Sequence, residues 1–182
     1  LECVPNFSEG RDGEVIRQIA GEVEKGEGVK LLDVDPGKAT NRTVVTFAGE
    51  PEAVVEAAVR VARKATELID MRRHKGEHPR FGALDVCPLV PVSGITMEET
   101  AALARKLARR LGEEVGLTVY CYEHAASREE RKNLATVRAG EYEGLERRLA
   151  DQRWKPDFGP AKFNPRSGAT AINTHNFLIT YN

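Results

Sequence analysis

The sequence predicts an α+β fold in which helices pack on one face of a mixed β-sheet. The chain has 182 residues, of which 41% are hydrophobic, and this length and composition are typical of one folded domain. Its apolar residues alternate between the spacing of strands and the spacing of amphipathic helices. No internal repeat or linker divides the chain, so we expect a single domain.

The strands are predicted from short runs rich in β-branched and apolar residues that are bounded by proline, glycine or asparagine. Pro5-Asn6 ends the first run as a turn, and Pro36-Gly37 separates the second run from the third. Pro88 and Pro91 place the fourth strand at a sheet edge or at a bulge, because proline cannot donate a backbone hydrogen bond. The predicted strands span residues 1–4, 29–34, 43–47, 83–92, 117–122 and 177–181.

The helices are predicted from apolar side chains at helical spacing and from residues that favour a helix start. Asp12 is an N-cap residue for the first helix, and Pro51 is favourable at the start of the second. Thr96 and Glu99 match a capping box at the start of the third. The long helices span residues 13–25, 51–69 and 96–115, short helices follow near Arg128 and Tyr142, and a loop rich in proline and glycine spans 154–168.

The first six elements follow the order β-α-β-β-α-β. This order is typical of a ferredoxin-like two-layer sandwich, in which helices cover one face of a sheet that contains antiparallel strands. We therefore predict one such domain over residues 1–182.

The overall composition argues against several classes of protein. The 27 basic and 28 acidic residues nearly cancel, whereas a nucleic-acid binder carries a basic excess. Three scattered cysteines without a CxxC pair indicate neither a disulfide framework nor a zinc ribbon. No apolar run reaches the ~18 residues of a transmembrane helix, and the N-terminus lacks a signal-peptide pattern. We expect a cytoplasmic protein with no membrane or nucleic-acid partner, from which a few residues including the initiator Met are missing.

Residues 72–80, Arg-Arg-His-Lys-Gly-Glu-His-Pro-Arg, interrupt all periodicity and concentrate positive charge. The segment carries four cations, one carboxylate and two of the four histidines, His74 and His78. Nearby cations favour the neutral form of a histidine, which is the form that acts as a general base, and they attract an anionic substrate. The alternative interpretation is a solvated basic loop whose histidines only cap backbone groups.

Other local patterns are weaker. His74, Glu77 and His78 match the H-x-x-E-H spacing of an inverted zinc protease motif, but Gly76 and Pro79 disfavour the helix that this motif needs. We therefore expect no metal site.

Three further patterns have structural as well as functional interpretations. Gly37-Lys38 lacks the rest of a phosphate-binding loop and is interpreted as a turn. Asp33 and Asp35 lie on the same face of a strand, and Asp35 is either a site carboxylate or a turn cap. A basic helix face is either solvated or binds a partner, and it comprises Arg105, Lys106, Arg109 and Arg110.

Sequence blocks spread over nearly the whole chain resemble those of a known family. They include Glu-Cys-Val-Pro-Asn-Phe-Ser-Glu-Gly10, Arg73-His-Lys-Gly-Glu-His-Pro-Arg80 and Gly82-Ala-Leu-Asp-Val-Cys-Pro88. Further blocks lie at residues 32–35, 40–43, 69–71, 138–142, 156–160 and 168–171. In their order and content these blocks resemble the glutamate formiminotransferase family.

The resemblance implies an enzyme that transfers a formimino group between N-formimino-L-glutamate and tetrahydrofolate in histidine degradation. The family fold is a pair of ferredoxin-like subdomains that hold folate in the crevice between them, and the match is to the first. The C-terminal subdomain is therefore expected to be absent from this chain. A partner chain or a second copy in a homodimer would then supply the other wall of the folate crevice. The implied catalytic acid and base is His78. The implied folate- and substrate-binding residues are Asn6, Asp35, Arg42, Gly159, Pro160, Phe163, Arg166 and Gly168.

The expected absence of the C-terminal subdomain and one local departure from the family pattern leave alternatives open. Ile172-Asn-Thr-His175 departs from the family pattern, in which a Gly-Ala-Arg-like turn stands at this place. The chain is either the N-terminal subdomain of a transferase or a half-domain that binds folate or a partner without turnover. An RNA-binding module of the same fold is disfavoured, because Phe47 is the only aromatic residue of the third strand.

Overall fold

A mixed seven-stranded sheet forms the centre of the computed structural model, which describes residues 1–176. The strands are β1 (Glu2–Cys3), β2 (Asn6–Phe7), β3 (Val29–Gly37), β4 (Arg42–Gly49), β5 (Leu84–Val90), β6 (Thr118–Cys121) and β7 (Ala169–Thr174). Across the sheet, β3 is followed by β4, then by β1 and β2 end to end, and then by β5, β7 and β6.

The two halves of the sheet differ in strand direction. The pairs among β1 to β5 are antiparallel, and their order is consistent with a ferredoxin-like unit. The pairs of β7 with β5 and β6 are parallel. The predicted α+β class with a mixed sheet is therefore confirmed.

Helices cover both faces of the sheet unequally, so the prediction of helices on one face holds for the three long helices only. They are α1 (Gly13–Gly21), α2 (Pro51–Leu68), α3 (Met97–Arg110), α4 (Leu134–Val137) and α5 (Glu141–Leu149). The three long helices α1–α3 share the main core with one sheet face, whereas α4 and α5 pack over β5–β7 on the other. Neighbouring residues of β6 point to opposite faces of the sheet. Val119 faces the main core under α1–α3, and Tyr120 faces the smaller core under α4 and α5. No helix within residues 1–176 is long and apolar enough to cross a membrane.

The predicted helix starts are confirmed. The Asp12 side chain accepts hydrogen bonds from the backbone of α1, Pro51 lies in the first turn of α2, and Thr96 forms its capping box with Glu99. The predicted helix over 13–25 is divided, because a 3₁₀ turn at Val23–Lys25 follows α1. A π-helical turn at Leu111–Val115 extends α3 to the predicted end.

Of the two alternatives predicted for β5, an edge position or a bulge, the edge position is wrong. β5 is buried along its whole length, with β2 on one side and β7 on the other. Pro88 still contributes to pairing, because its carbonyl oxygen accepts a hydrogen bond from the Val4 N–H at 3.1 Å. The irregularity lies earlier in the strand, where Leu84 and Val86 oppose consecutive residues of β2 and leave Asp85 as the extra residue of a bulge.

Two other predictions about strands need correction. Asn6 belongs to β2 rather than to a turn. The sequence analysis also missed β7, which lies between β5 and β6 and is fully buried. Alanine and threonine dominate β7, so it lacks the run of large β-branched side chains that predicts a strand. The strand predicted over 177–181 lies outside the described residues.

Candidate functional site

A cavity of about 440 Å³ lies on the sheet face opposite α1–α3. Strand alternation places Asn6, Val44 and Val86 in its wall, since their neighbours Phe7, Val45 and Cys87 face the main core. The other side chains in its wall include His78, from the loop before β5, and Arg138, from the segment after α4.

Four of the residues predicted for the site line this cavity together. They are Asn6, Asp35, Arg42 and His78. The sheet explains this proximity, because both Asn6 of β2 and Asp35 of β3 lie opposite Val44 of β4.

Asp85, which the sequence analysis did not single out, binds the two arginines of the cavity wall, Arg42 and Arg138. Its fully buried carboxylate accepts hydrogen bonds from Nη1 of Arg42 at 2.8 Å and from Nη1 of Arg138 at 2.6 Å, both at Oδ2. Oδ1 accepts the Phe81 N–H at 2.7 Å, and Arg42 Nε donates to Asn6 Oδ1 at 3.2 Å. The sequence does contain a signal for Asp85, which is the single carboxylate within an otherwise apolar strand. A buried charge requires partners, so such a residue indicates a buried polar site.

His78 has one ring nitrogen engaged and one free. Its Nδ1 lies 2.7 Å from the Pro79 carbonyl oxygen, which only accepts, so Nδ1 carries the proton. Nε2 makes no hydrogen bond within residues 1–176 and is the free acceptor. Partial burial, followed by the charge of Arg42, lowers the pKa of His78 below its ordinary value of 6.5. The ring is therefore neutral at pH 7.

His74 has a structural role in the same loop. Its Nε2 lies 2.7 Å from the Asn41 carbonyl oxygen, and its Nδ1 accepts a hydrogen bond from Arg80 Nε at 3.0 Å. Arg80 in turn donates two 2.8 Å hydrogen bonds to Glu143. Residues 74–78 are not helical, so the geometry of the H-x-x-E-H motif does not form. In the part of the chain that the structure describes, no three His, Cys, Asp or Glu side chains are grouped for a metal ion.

The basic residues of segment 72–80 are not the basic residues that line the cavity. None of the arginines and lysines of 72–80 lines it, and Arg72 is paired with Asp70 at 2.7 Å. The cations of segment 72–80 therefore do not surround this cavity, and the arginines in its wall are Arg42 and Arg138.

Comparisons with known proteins agree with the resemblance found in the sequence. Residues 1–175 match the family model described as formiminotransferase domain, N-terminal subdomain. The chain belongs to the formiminotransferase family. It is 56% identical to the formimidoyltransferase-cyclodeaminase of Gallus gallus and covers 34% of that protein. It is 45% and 41% identical to the glutamate formimidoyltransferases of Thermoplasma acidophilum and Streptococcus pyogenes serotype M1, of which it covers 60% and 61%.

The five residues predicted from segment 159–168 of this formiminotransferase subdomain do not line the cavity around His78. The Pro160 carbonyl oxygen accepts a hydrogen bond from the Thr118 hydroxyl at 2.7 Å. Phe163 packs on the Tyr142 ring, with the ring centroids 5.6 Å apart. Their role in binding folate stays a prediction.

The remaining three residues of that segment hold backbone contacts. Arg166 donates to the Glu67 carbonyl oxygen near the end of α2 and lines a separate cavity of about 490 Å³. Gly159 and Gly168 both have positive φ values, of 81° and 64°, and lie against the backbones of Leu117 and Phe81.

Replacing Gly159 with alanine is expected to lower the free energy of unfolding by about 1–3 kcal/mol. A Cβ at this position would lie 1.8 Å from the Leu117 carbonyl oxygen, and the positive φ disfavours any side chain. Urea denaturation measures the change. Gly144→Ala in α5 is the matched control, because its Cβ meets nothing within 4 Å. Equal stability of Gly159→Ala and wild type would contradict this structural role.

The end of β7 forms a cavity wall in this formiminotransferase subdomain. Ile172-Asn-Thr174 are strand residues rather than a turn, and both Asn173 and His175 line the cavity. Asn173 is only 1% exposed, and its amide oxygen has no hydrogen-bond partner within residues 1–176. Unpaired buried polar atoms are rare in folded proteins.

Proposed function

We propose that this chain is the N-terminal part of a glutamate formiminotransferase, which transfers a formimino group between N-formimino-L-glutamate and tetrahydrofolate in histidine degradation. The observation that carries the proposal is His78, a neutral histidine with a free Nε2 in a cavity that also contains two arginines. The names of the relatives, formimidoyltransferases of three organisms, support the same activity.

In this proposal His78 moves one proton. An amine of tetrahydrofolate attacks the formimino carbon, and a new C–N bond forms at a tetrahedral intermediate. Nε2 of His78 takes the proton from the attacking nitrogen and returns it to the nitrogen of glutamate as the old C–N bond breaks. The hydrogen bond from Nδ1 to the Pro79 carbonyl oxygen holds the tautomer that this transfer needs.

Tetrahydrofolate is the proposed co-substrate, and no metal takes part in the proposed step. The chain spans about a third to three-fifths of the length of the relatives it matches. We propose that a C-terminal subdomain or a partner chain completes the folate site, together with the predicted residues of segment 159–168. A cytoplasmic location and pairing with a second copy are also part of the proposal.

The pH dependence of kcat/KM in the full-length protein tests this assignment. Activity requires neutral His78, so the acid limb is expected to have its midpoint below 6.5. Arg42→Gln is expected to move this midpoint upwards, because removing a neighbouring cation raises the pKa of the histidine. Arg110→Gln, at an arginine outside the cavity that pairs with Glu56 and Glu114, is the control and should not move it.

Two results would contradict the proposal. An acid limb that is the same in Arg42→Gln and in wild type would remove His78 from the proton transfer. The full-length protein could also show no formimino transfer and still bind 5-formyltetrahydrofolate, a stable analogue of the formimino compound, in a calorimetric titration. That result would favour a folate-binding protein without turnover.

A further inference from the structure

Two arginines from distant parts of the chain meet at one buried carboxylate. Arg42 begins β4 and Arg138 follows α4, and both donate to the same Oδ2 of Asp85. Their side chains are only 7% and 12% exposed. One negative charge therefore faces two positive charges in a largely buried place, and the arginine pair retains an excess positive charge.

The arginine pair has donors left for a ligand. A guanidinium carries five N–H groups, of which Asp85 uses one group of each arginine and Asn6 uses the Nε–H of Arg42. Within residues 1–176 the two guanidiniums form no other hydrogen bond, and both side chains line the cavity. A planar carboxylate fits such paired donors in a bidentate manner.

The acidic side chains in the cavity wall do not compensate this pair. Asp35 and Glu123 line the same cavity, but neither forms an ion pair with Arg42 or Arg138 among the described residues. The cavity wall therefore carries cationic groups and anionic groups that are not paired with each other. N-formimino-L-glutamate has the complementary pattern, because its amidine is a strong base that is protonated near neutral pH and its two carboxyl groups are ionised.

We propose that Arg42 and Arg138 bind the α-carboxylate of the glutamate substrate, and that Asp85 is the positioning residue that holds the two guanidiniums in place. The identity of the substrate rests on the proposed function, whereas the carboxylate chemistry rests on the contacts described above. The α-carboxylate is attached to the carbon that bears the reacting nitrogen, so it lies close to the group that reacts near His78. The carboxylates of tetrahydrofolate are separated from its reacting nitrogen by the aminobenzoyl group.

Steady-state kinetics of Arg138→Gln in the full-length protein provide the first test. We expect the KM for N-formimino-L-glutamate to rise about 10- to 100-fold, the range for a lost hydrogen bond to a charged group. The KM for tetrahydrofolate should stay within about twofold. Arg138→Lys should recover part of the loss, because it keeps the charge without the planar fork. A rise confined to the KM for tetrahydrofolate would assign the pair to the folate tail and overturn the proposal.

Direct binding provides a second test that does not need transfer activity. In calorimetric titrations of the full-length protein, L-glutamate should bind more tightly than isoglutamine, in which the α-carboxylate is an amide. This preference should disappear in Arg138→Gln and persist in the control Arg110→Gln, with thermal unfolding confirming that both variants fold. An unchanged preference in Arg138→Gln would overturn the proposal. The full-length protein could show the preference for L-glutamate, and its loss in Arg138→Gln, without any transfer activity. That result would refute the proposed function and leave the carboxylate site standing.

Discussion

Replacement of His78 with glutamine is expected to lower kcat for formimino transfer by about 10²- to 10⁴-fold, the usual contribution of a general acid–base group. Glutamine has a similar size but cannot exchange a proton between the attacking and the leaving nitrogen. The fold should persist, because within the described part of the chain the His78 ring makes a single hydrogen bond, to the Pro79 carbonyl oxygen of its own loop. Single-turnover kinetics at saturating substrate isolate this effect on the chemical step.

A matched variant distinguishes this loss from a general effect of removing a histidine. His124 is exposed and does not line the cavity, so His124→Gln should keep the wild-type kcat. The assignment of His78 fails when His78→Gln turns over at the wild-type rate. Identical melting temperatures of the two variants would show that the comparison concerns chemistry rather than folding.

Asp85→Asn is expected to reduce the free energy of unfolding by about 3–5 kcal/mol, the cost of breaking a buried ion pair from one side. The amide oxygen of asparagine can still accept the Phe81 N–H, but the positive charges of Arg42 and Arg138 lose their buried counter-charge. Denaturation in guanidinium chloride at fixed pH measures the change.

The control for this variant is a surface carboxylate. Asp151 pairs with Arg153 at 3.1 Å, and both side chains are solvated, so Asp151→Asn should be about as stable as wild type. Adding Arg138→Gln to Asp85→Asn should recover part of the lost stability, since it removes one of the uncompensated cations. If Asp85→Asn is as stable as Asp151→Asn, the carboxylate does not hold the arginine pair.

The helix starts could be predicted because their signals are local. Asp12 caps the first helix, and Thr96 and Glu99 cap each other within one turn. The position of β7 could not be predicted in the same way. Its small side chains carry little pattern, and its burial follows from contacts with β5 and β6, which are distant in sequence.

The candidate site was predictable only in part. The family resemblance implied His78 and Arg42, and the structure places both at one cavity. Asp85 was hidden in a strand that otherwise reads as apolar, and the bulge that accommodates it depends on pairing with β2. Arg138 lies 53 residues from Asp85, and no local pattern relates two such residues. The cations of the loop were conspicuous in the sequence but are held by surface carboxylates or lie outside the cavity.

The position of β7 after β6 in the chain has a consequence for biosynthesis. β6 emerges from the ribosome well before its neighbour β7, and among the described residues β7 is the strand that connects β6 to the rest of the sheet. Until β7 is made, β5 and β6 each present an unpaired apolar edge, which is the type of surface that promotes aggregation of nascent chains. The sheet therefore closes only after about residue 174 has been synthesised, and until then the edges of β5 and β6 can pair with strands of other chains.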